Sequence, residues 1–376
     1  MLLIEADGKA LFAEHGIAVP AGRVVSAADD AAPPPGAGPW MVKAQVPVGG
    51  RGKAGGIRRC DAPEKIAAAL RDMLGTRLKG HTVRACLIEQ AASGAERYLA
   101  MMVDPPNYGV RVIYLAEGGM EVEQAGGADR AGVCCAPEVA AIVAALDGLL
   151  TREPEAIRAP IAALGRNLAE MLLARELALA EINPLFVGAA GCVAGDAKVV
   201  VDLGAVDRQP RLAELIAEQP SIYLDAGRKL SEGFDYVELD PDGEIGLVTT
   251  GAGLSMMLID ELTARGFRPL NFCDVRTGQL RGSPQRLIRV LEWITARPSL
   301  RVVLVNIFAG ITDLGEFASL LADAVAASPG LRVPVVARLV GRGADEARRI
   351  LAEKRPDIAM EEDLQRALDR IQAVLA

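Results

Sequence analysis

The stretch Val42-Lys-Ala-Gln-Val-Pro-Val-Gly-Gly-Arg-Gly-Lys-Ala-Gly-Gly56 places the cations Lys43, Arg51 and Lys53 among five glycines, directly after a short apolar run. Glycine takes up positive φ at little steric cost and lets the backbone approach a ligand closely, so successive amide N–H groups can converge on phosphate oxygens. The three cations add the charge that such oxygens attract. The loop is not a Walker A motif, because Pro47 stands where its first glycine belongs and Ala54 where its Ser or Thr belongs. A solvated basic hairpin would share this composition, so the loop's chemistry rests on what stands downstream.

Three downstream features bear on it. Leu87-Ile-Glu-Gln90 and Glu96-Arg-Tyr98 are strand-like segments whose acids, Glu89 and Glu96, lie seven positions apart. Carboxylates there can accept hydrogen bonds from ribose hydroxyls or an adenine amino group, although solvated surface acids would look the same. Ala180-Glu-Ile-Asn-Pro-Leu-Phe186 and Val199-Val-Val-Asp-Leu-Gly204 each set an oxygen ligand, Asn183 and Asp202, beside an apolar segment. Mg²⁺ takes such ligands alongside triphosphate oxygens. An Asn-Pro turn and a strand-end cap would account for the same residues. A bound triphosphate needs both cationic side chains and Mg²⁺ to neutralise it, and this half of the chain supplies candidates for both.

The elements that must position these residues follow from length and patterning. At 376 residues the chain exceeds the size at which one core usually keeps growing, so two domains are expected. Hydrophobic residues make up 51% of it and aromatics only 4%, so alanine, valine and leucine must do most of the packing. Such residues suit helices laid on parallel strands. With a net charge of −8 and no long basic run, neither nucleic acid nor an anionic membrane is expected as the main partner. The six cysteines form no CxxC pair, which argues against zinc and disulfides. Glu5 and Asp7 come too early for a signal-peptide core, and no uncharged run is long enough to span a bilayer. A reduced, cytoplasmic protein is expected.

Residues 6–16 predict a helix, 17–25 a strand interrupted by Pro20, and 31–39 a surface loop. Apolar strands are expected at 83–89, 98–103, 110–115 and 198–203. The second half alternates more regularly, with strands at 245–250, 270–273, 302–308, 333–339 and 358–360. Helices near 254–265, 284–297, 314–327, 344–354 and 362–375 follow them. This pattern predicts a doubly wound parallel sheet with its ligand at the carboxyl ends of the strands. The turn Asp240-Pro-Asp-Gly243 places the boundary, giving domains 1–239 and 240–376. Thr250-Gly-Ala-Gly253 invites a dinucleotide reading, but Met256 stands where a glycine is needed.

The order of motifs is the most specific signal. The VKAQ…GGRGKAGG loop, Glu181-Ile-Asn-Pro-Leu185, Gly246-Leu-Val-Thr-Thr-Gly-Ala-Gly-Leu254, Asn271-Phe-Cys-Asp274 and Leu304-Val-Asn-Ile-Phe-Ala-Gly-Ile311 together resemble the β subunit of succinyl-CoA synthetase and its malate–CoA ligase relatives. The resemblance covers nearly the whole chain. It implies an ATP-grasp domain followed by a flavodoxin-like ligase domain, ATP or GTP as substrate, Mg²⁺, and a role beside the tricarboxylic acid cycle. It further implies that Lys43, Gly50, Arg51 and Gly52 meet the phosphates, Glu89 and Glu96 the base and ribose, and Asn183 and Asp202 the Mg²⁺. Glu181 matches the acid that meets a phosphorylated histidine. His15 and His81 are the chain's two histidines, and both read as surface residues. The resemblance places the phosphohistidine and most of the CoA site on a separate α subunit. It also directs a helix N-terminus near Ser283 and Pro284 toward that histidine.

Three strand-end loops depart from the family pattern. Thr250 replaces an Asn that helps hold the organic acid, Arg276-Thr277-Gly278 replaces Gly-Gly-Gly, and Thr312-Asp313-Leu314 replaces basic-Cys-Asp. With Gly310, Ile311 and Thr312, Thr250 and Arg276 are the candidate acid-binding residues. The acid is thus expected to be succinate or a related small acid, with malate and sulfonated acids as alternatives. An ATP-grasp carboxylate–amine ligase and a nucleotide-binding regulatory subunit without turnover are the competing functions.

Overall fold

A computed structural model of the chain describes residues 1–116, 118, 132–188, 191–280, 282–310 and 312–376. They fall into two units, Met1–Ile222 and Tyr223–Ala376. In the first unit, alternation in Trp40–Ala44 turns Val42 into a core and leaves Lys43 on the opposite face of its sheet. That antiparallel sheet orders its strands Gly22–Val25, Cys86–Gln90, Trp40–Ala44 and Ile57–Cys60. The helix Glu64–Met73 covers its apolar face, burying Ile66, Ala69, Leu70 and Met73 against Val42, Ala44 and Ile88. A second antiparallel sheet orders Gly191–Ala194, Leu177–Gly188, Ala95–Asp104, Gly109–Leu115 and Val133–Cys135, with Lys198–Val201 also paired to Leu177–Gly188. The helices Val139–Leu149 and Glu155–Ala174 pack on it through Ile142, Leu146, Leu164 and Leu168.

In the second unit, the parallel strands Ile245–Thr249, Val302–Ala309, Val335–Gly341 and Ala359–Glu361 adjoin in that order. Helices cover both faces. Ala252–Ala264 and Leu364–Leu375 close one over Leu247, Leu304 and Val336, while Gln285–Thr295, Leu314–Ala326 and Ala344–Lys354 close the other over Val303, Val305 and Leu339. This is the expected doubly wound arrangement.

Two features differ from the pattern read in the sequence. The strand Asn271–Asp274 lies beside Ile245–Thr249, but side chains replace part of the ladder. Asn271 is fully buried, and its amide accepts from the Leu247 N–H and donates to the Leu247 carbonyl, both at 2.9 Å. The Thr249 hydroxyl likewise donates to the Cys273 carbonyl. On its other edge Asn271–Asp274 pairs with an antiparallel strand, Asp235–Glu238, which alternation too short to read had hidden. The helix Leu224–Glu232 packs on that strand, so the second unit begins ahead of the Asp240–Gly243 turn. The helix expected to begin near Ser283 and Pro284 runs Gln285–Thr295 with Pro284 as its N-cap, and Ser283 accepts from the Gln285 N–H at 3.4 Å.

Replacing Asn271 by leucine strands a buried donor and a buried acceptor on Leu247. Each such group costs about 1–3 kcal/mol, so Asn271→Leu is expected to destabilise the second unit by about 3 kcal/mol. The check is a urea titration followed by Trp293 fluorescence in a Trp40→Phe background, where the midpoint should fall at unchanged slope.

Candidate functional site

A cavity of about 710 Å³ in the first unit is lined by Lys43, the loop residues 49–53, Lys79, Glu89, Glu96, Glu181, Asn183, Asp196 and Lys198, among others. That volume suits a drug-sized ligand. Polar groups gather here because the non-core faces of both sheets and the start of the helix Glu5–Glu14 meet at the same wall.

The wall is a buried ionic network. Glu5, at the first turn of that helix, is 1% exposed. Its Oε1 takes Lys43 Nζ and Lys9 Nζ, each at 2.7 Å, and its Oε2 takes Arg51 at 2.7 Å. Glu89 takes Lys43 at 2.6 Å and Lys9 on its other oxygen. Arg51 also meets Asp196 at 2.9 Å and donates to the Ala44 carbonyl. The Gly195 carbonyl accepts from both lysines, at 2.7 and 3.0 Å. Three cations therefore face three carboxylates. Burial opposes ionisation of Glu5, but Lys43, Lys9 and Arg51 together hold its carboxyl well below the usual range. For Lys43, burial opposes the charge, and Glu5, Glu89 and Asp196 override it and raise the pKa. For Asp196, burial and then the nearby Glu5 push the pKa up against Arg51 and Lys43.

The glycine loop is fastened to this wall. Arg51 sits within it, Gly50 takes φ +66°, and the Gly56 N–H closes it on the Arg51 carbonyl at 2.8 Å. Of the residues expected at the nucleotide, Lys43, Gly50, Arg51, Gly52, Glu89, Glu96, Glu181 and Asn183 all line the cavity. Glu89 does so from within the ionic network, whereas Glu96 is exposed. Glu181 is paired with Lys198 at 3.1 Å.

Asp202 is the correction. Leu185 pairs with Ala194 and Glu181 with Lys198, so Asn183 lies opposite Asp196 in the hairpin between those pairs. Asp202 follows Val201, which pairs with Leu177, six residues from Asn183 along the strand. At about 3.3 Å per residue that is roughly 20 Å away. Its side chain is exposed and accepts from the Gly204 N–H at 2.8 Å. The oxygen pair that the fold brings together is Asn183 and Asp196, which fits a Mg²⁺ ion that keeps several waters and phosphate oxygens. Among the described residues no cluster of three or more His, Cys, Asp and Glu side chains could hold a metal by itself.

In the second unit, Thr250, Thr277 and Thr312 come together past the carboxyl ends of three strands. Thr312 donates to the Thr277 hydroxyl at 2.9 Å, and the Thr250 and Thr277 hydroxyls are 3.4 Å apart. Arg276 takes φ +49°, and its guanidinium is held by Asp235 at 2.9 Å, which also takes Lys229 at 2.8 Å. Gly310 is exposed beside this cluster in sequence, and Ile311 lies outside the described residues. Neither histidine lines the cavity. His15 accepts from Arg175 at 3.1 Å, and burial followed by Arg175 lowers its pKa, while His81 is exposed.

Comparison with known proteins is decisive for the family. An ATP-grasp domain model matches residues 2–130 and a CoA-ligase model matches 248–371. The β subunit of the ADP-forming succinate–CoA ligase of Rubrobacter xylanophilus is 36% identical, over 95% of this chain and 94% of that one. The corresponding subunit of Chloroflexus aurantiacus is 35% identical over 98% of both. The chain belongs to the succinate–CoA ligase β-subunit family. It is accordingly an acid–thiol ligase of the NDP-forming type, with a nucleotide as substrate, and the β-subunit naming implies a partner subunit. A structure of ATP citrate lyase from Methanothrix soehngenii, in complex with citrate and coenzyme A, shares the fold, with a TM-score of 0.74 at 17% identity over 100% of this chain and 99% of that one. Among the described residues no helix is long and apolar enough to cross a membrane.

The glycine loop is legible in the sequence, yet Glu5, Lys9 and Asp196 escape such a reading. Glu5 and Lys9 look like an ordinary i, i+4 surface pair. Asp196 is legible in principle, since folding the strand back at Gly188 and Gly191 sets it against Asn183.

The sign of the Glu5 shift gives a pH prediction. A carboxyl held below its ordinary range contributes stability above about pH 4.3 that is lost as pH falls further. Breaking a buried charge network costs about 3–5 kcal/mol. Glu5→Gln is therefore expected to lower stability by that amount at pH 7, with the gap to wild type narrowing below pH 4. Paired denaturant titrations at pH 7 and 3.5 check this, and a gap independent of pH would contradict it.

Proposed function

We propose that this chain binds Mg-ATP in the first-unit cavity and transfers the γ-phosphoryl group to a histidine of a separate α subunit, from which it passes to a small carboxylic acid. The observation that carries the reading is the convergence of Lys43, Arg51, Gly50, Gly52, Glu181, Asn183 and Asp196 on one cavity that neither histidine of this chain enters. The ADP-forming relatives support ATP over GTP.

The chemistry follows from the groups present. Lys43 and Arg51 hold phosphate oxygens, and the amides of Gly50 and Gly52 donate to them. Mg²⁺, held by Asn183 and Asp196, would neutralise charge on the phosphates when bound. Arg51 keeps Glu5 while exchanging Asp196 for a phosphate oxygen, so the loop stays anchored as its cation turns to the ligand. A ring nitrogen of the partner's histidine attacks the γ-phosphorus, and ADP leaves with the bridging oxygen. Glu181 accepts the hydrogen bond of the other ring N–H and orients the imidazole. The acid's carboxylate oxygen then takes the phosphoryl group, restoring the histidine. The CoA thiolate attacks the acyl carbon, and phosphate leaves as the thioester forms. CoA binds mainly on the partner.

For the acid we favour succinate or a related small diacid, held near Gly310, Ile311 and Thr312 with Thr250 contributing a hydroxyl. The hydroxyls of Thr250, Thr277 and Thr312 favour an acid bearing a further polar group, such as malate, as the second reading. Arg276 reaches such a group only by loosening Asp235. A nucleotide-binding subunit without turnover would have no use for Glu181 in the cavity.

Labelled ATP incubated with the co-expressed α–β complex should place acid-labile phosphate on the α chain. Lys43→Met is expected to reduce this labelling about 100-fold; full labelling by that variant would remove the cavity from the reaction. A second measurement separates the two aspartates. Asp196→Asn should raise the Mg²⁺ concentration needed for half-maximal ATP binding about tenfold or more, the loss of one charged ligand, while Asp202→Asn should leave it unchanged. The reverse pattern would restore Asp202 to the metal site.

A further inference from the structure

We propose that Lys79 is a phosphate-binding residue of the nucleotide site, carried on a hairpin tip and passed from a carbonyl of the glycine loop to a phosphoryl oxygen when nucleotide enters. The inference rests on the nucleotide reading above.

Charge accounting sets this residue apart from the cations of the ionic wall. Lys9, Lys43 and Arg51 are matched by Glu5, Glu89 and Asp196, Lys198 is matched by Glu181, and Arg59 by Asp61. Each of those cations must release a carboxylate before it can serve a phosphate fully. Lys79 also lines the cavity, yet among the described residues it has no carboxylate partner. Its ammonium donates to the Gly49 carbonyl at 2.7 Å. An ammonium carries three donors, so two remain for a ligand. Exchanging a neutral carbonyl for a phosphate oxygen adds attraction without breaking an ion pair.

The mount is built for the purpose. Strands Arg77–Leu78 and His81–Thr82 pair Leu78 with His81, which leaves Lys79 and Gly80 as a two-residue turn. Their φ values of +47° and +86° are those of a type I′ hairpin. Asparagine, aspartate or glycine is preferred at the first of these positions, so lysine breaks a local rule where its charge is aimed. Leu78 is buried in the core beneath, and the Gly75 N–H to Val83 carbonyl and Val83 N–H to Thr76 carbonyl bonds, each 2.9 Å, fix the base of the hairpin. Opposite the tip, a Cβ added at Gly50 would come within 2.8 Å of the Lys79 ammonium. Glycine at 50, which the loop's own positive φ calls for, also leaves room for this approach.

The turn makes the test selective. Asn-Gly is a favoured type I′ pair, so Lys79→Asn removes the charge while suiting the backbone better. Full-length Lys79→Asn is expected to melt at the same temperature as wild type or higher. Its affinity for Mg-ATP should be about tenfold weaker, the low end for a charge-assisted hydrogen bond because the ammonium is solvent-exposed. Adenosine affinity should not move, and Lys79→Arg should bind Mg-ATP within about threefold of wild type. Calorimetric titration of these variants, with Lys43→Met alongside, reads the affinities, and scanning calorimetry reads the melting temperature. If wild type binds Mg-ATP, Lys43→Met weakens it and Lys79→Asn does not, the role of Lys79 is overturned while the nucleotide reading stands. Parallel loss of adenosine binding or of melting temperature in Lys79→Asn would show a structural role instead and also overturn it. If wild type binds no Mg-ATP, the nucleotide reading fails first and takes the inference with it.

Discussion

One carboxylate, that of Glu5, ties together a helix, a strand and a glycine loop. Lys9 belongs to its own helix, Lys43 to the strand Trp40–Ala44, and Arg51 to the loop, and all three cations end on its two oxygens. Five of the six charged groups are buried and Asp196 is part-exposed; burying charges is expensive, and such a network need not stabilise a fold more than well-packed apolar residues would. It does make the geometry hard to change, because removing any member leaves another buried and uncompensated. A glycine-rich loop left to itself has the largest conformational freedom of any sequence. Here it is fastened at Arg51 to the same carboxylate that positions Lys43, so the loop amides and the strand lysine keep a fixed relation.

The second unit meets the opposite problem. Its sheet is covered on both faces, so a buried polar group there needs a partner, and the Nδ2 of Asn306 is the exception that has none among the described residues. Asn271 satisfies that condition by acting as a peptide group toward Leu247, and Thr249 does so toward Cys273. Past the strand ends the restriction lifts. There the chain gathers three threonine hydroxyls and ties Arg276 down through Asp235. Apolar interior and polar strand ends are two consequences of one sheet, and ligands of such sheets bind at those ends for this reason.

Much of this was legible in the sequence, and the rest was hidden by particular causes. Parallel strands buried on both faces, such as Val302–Ala309, read as continuous apolar runs that end at a turn, and the alternation of such runs with helices sufficed for the architecture. Asp235–Glu238 escaped because four residues are too few for alternation to show. Lys43, Arg51 and Glu181 stand out because their types are unusual in their settings. Glu5 and Lys9 do not, because an acid and a lysine four apart at a helix start are what a solvated helix also shows. Asp202 draws the eye before Asp196 because it ends a clean apolar strand, whereas the pairing of Asp196 with Asn183 exists only once the hairpin register is set.

The neutrality of the ionic wall bears on how a ligand can be recognised at all. Three cations against three carboxylates create little net field, so on the proposed reading a phosphate would enter by exchange with these carboxylates rather than through excess charge at the wall. Exchange favours a ligand that brings partners for both sides of the pair it opens. The Arg51–Asp196 pair, at 2.9 Å, lies across from Asn183. A bare anion would satisfy Arg51 and strand Asp196, whose ionisation burial already disfavours. An anion accompanied by a divalent cation satisfies both. Under the Mg-ATP reading proposed above, a metal complex leaves neither partner of the Arg51–Asp196 pair uncompensated, whereas a free triphosphate leaves Asp196 without its cation.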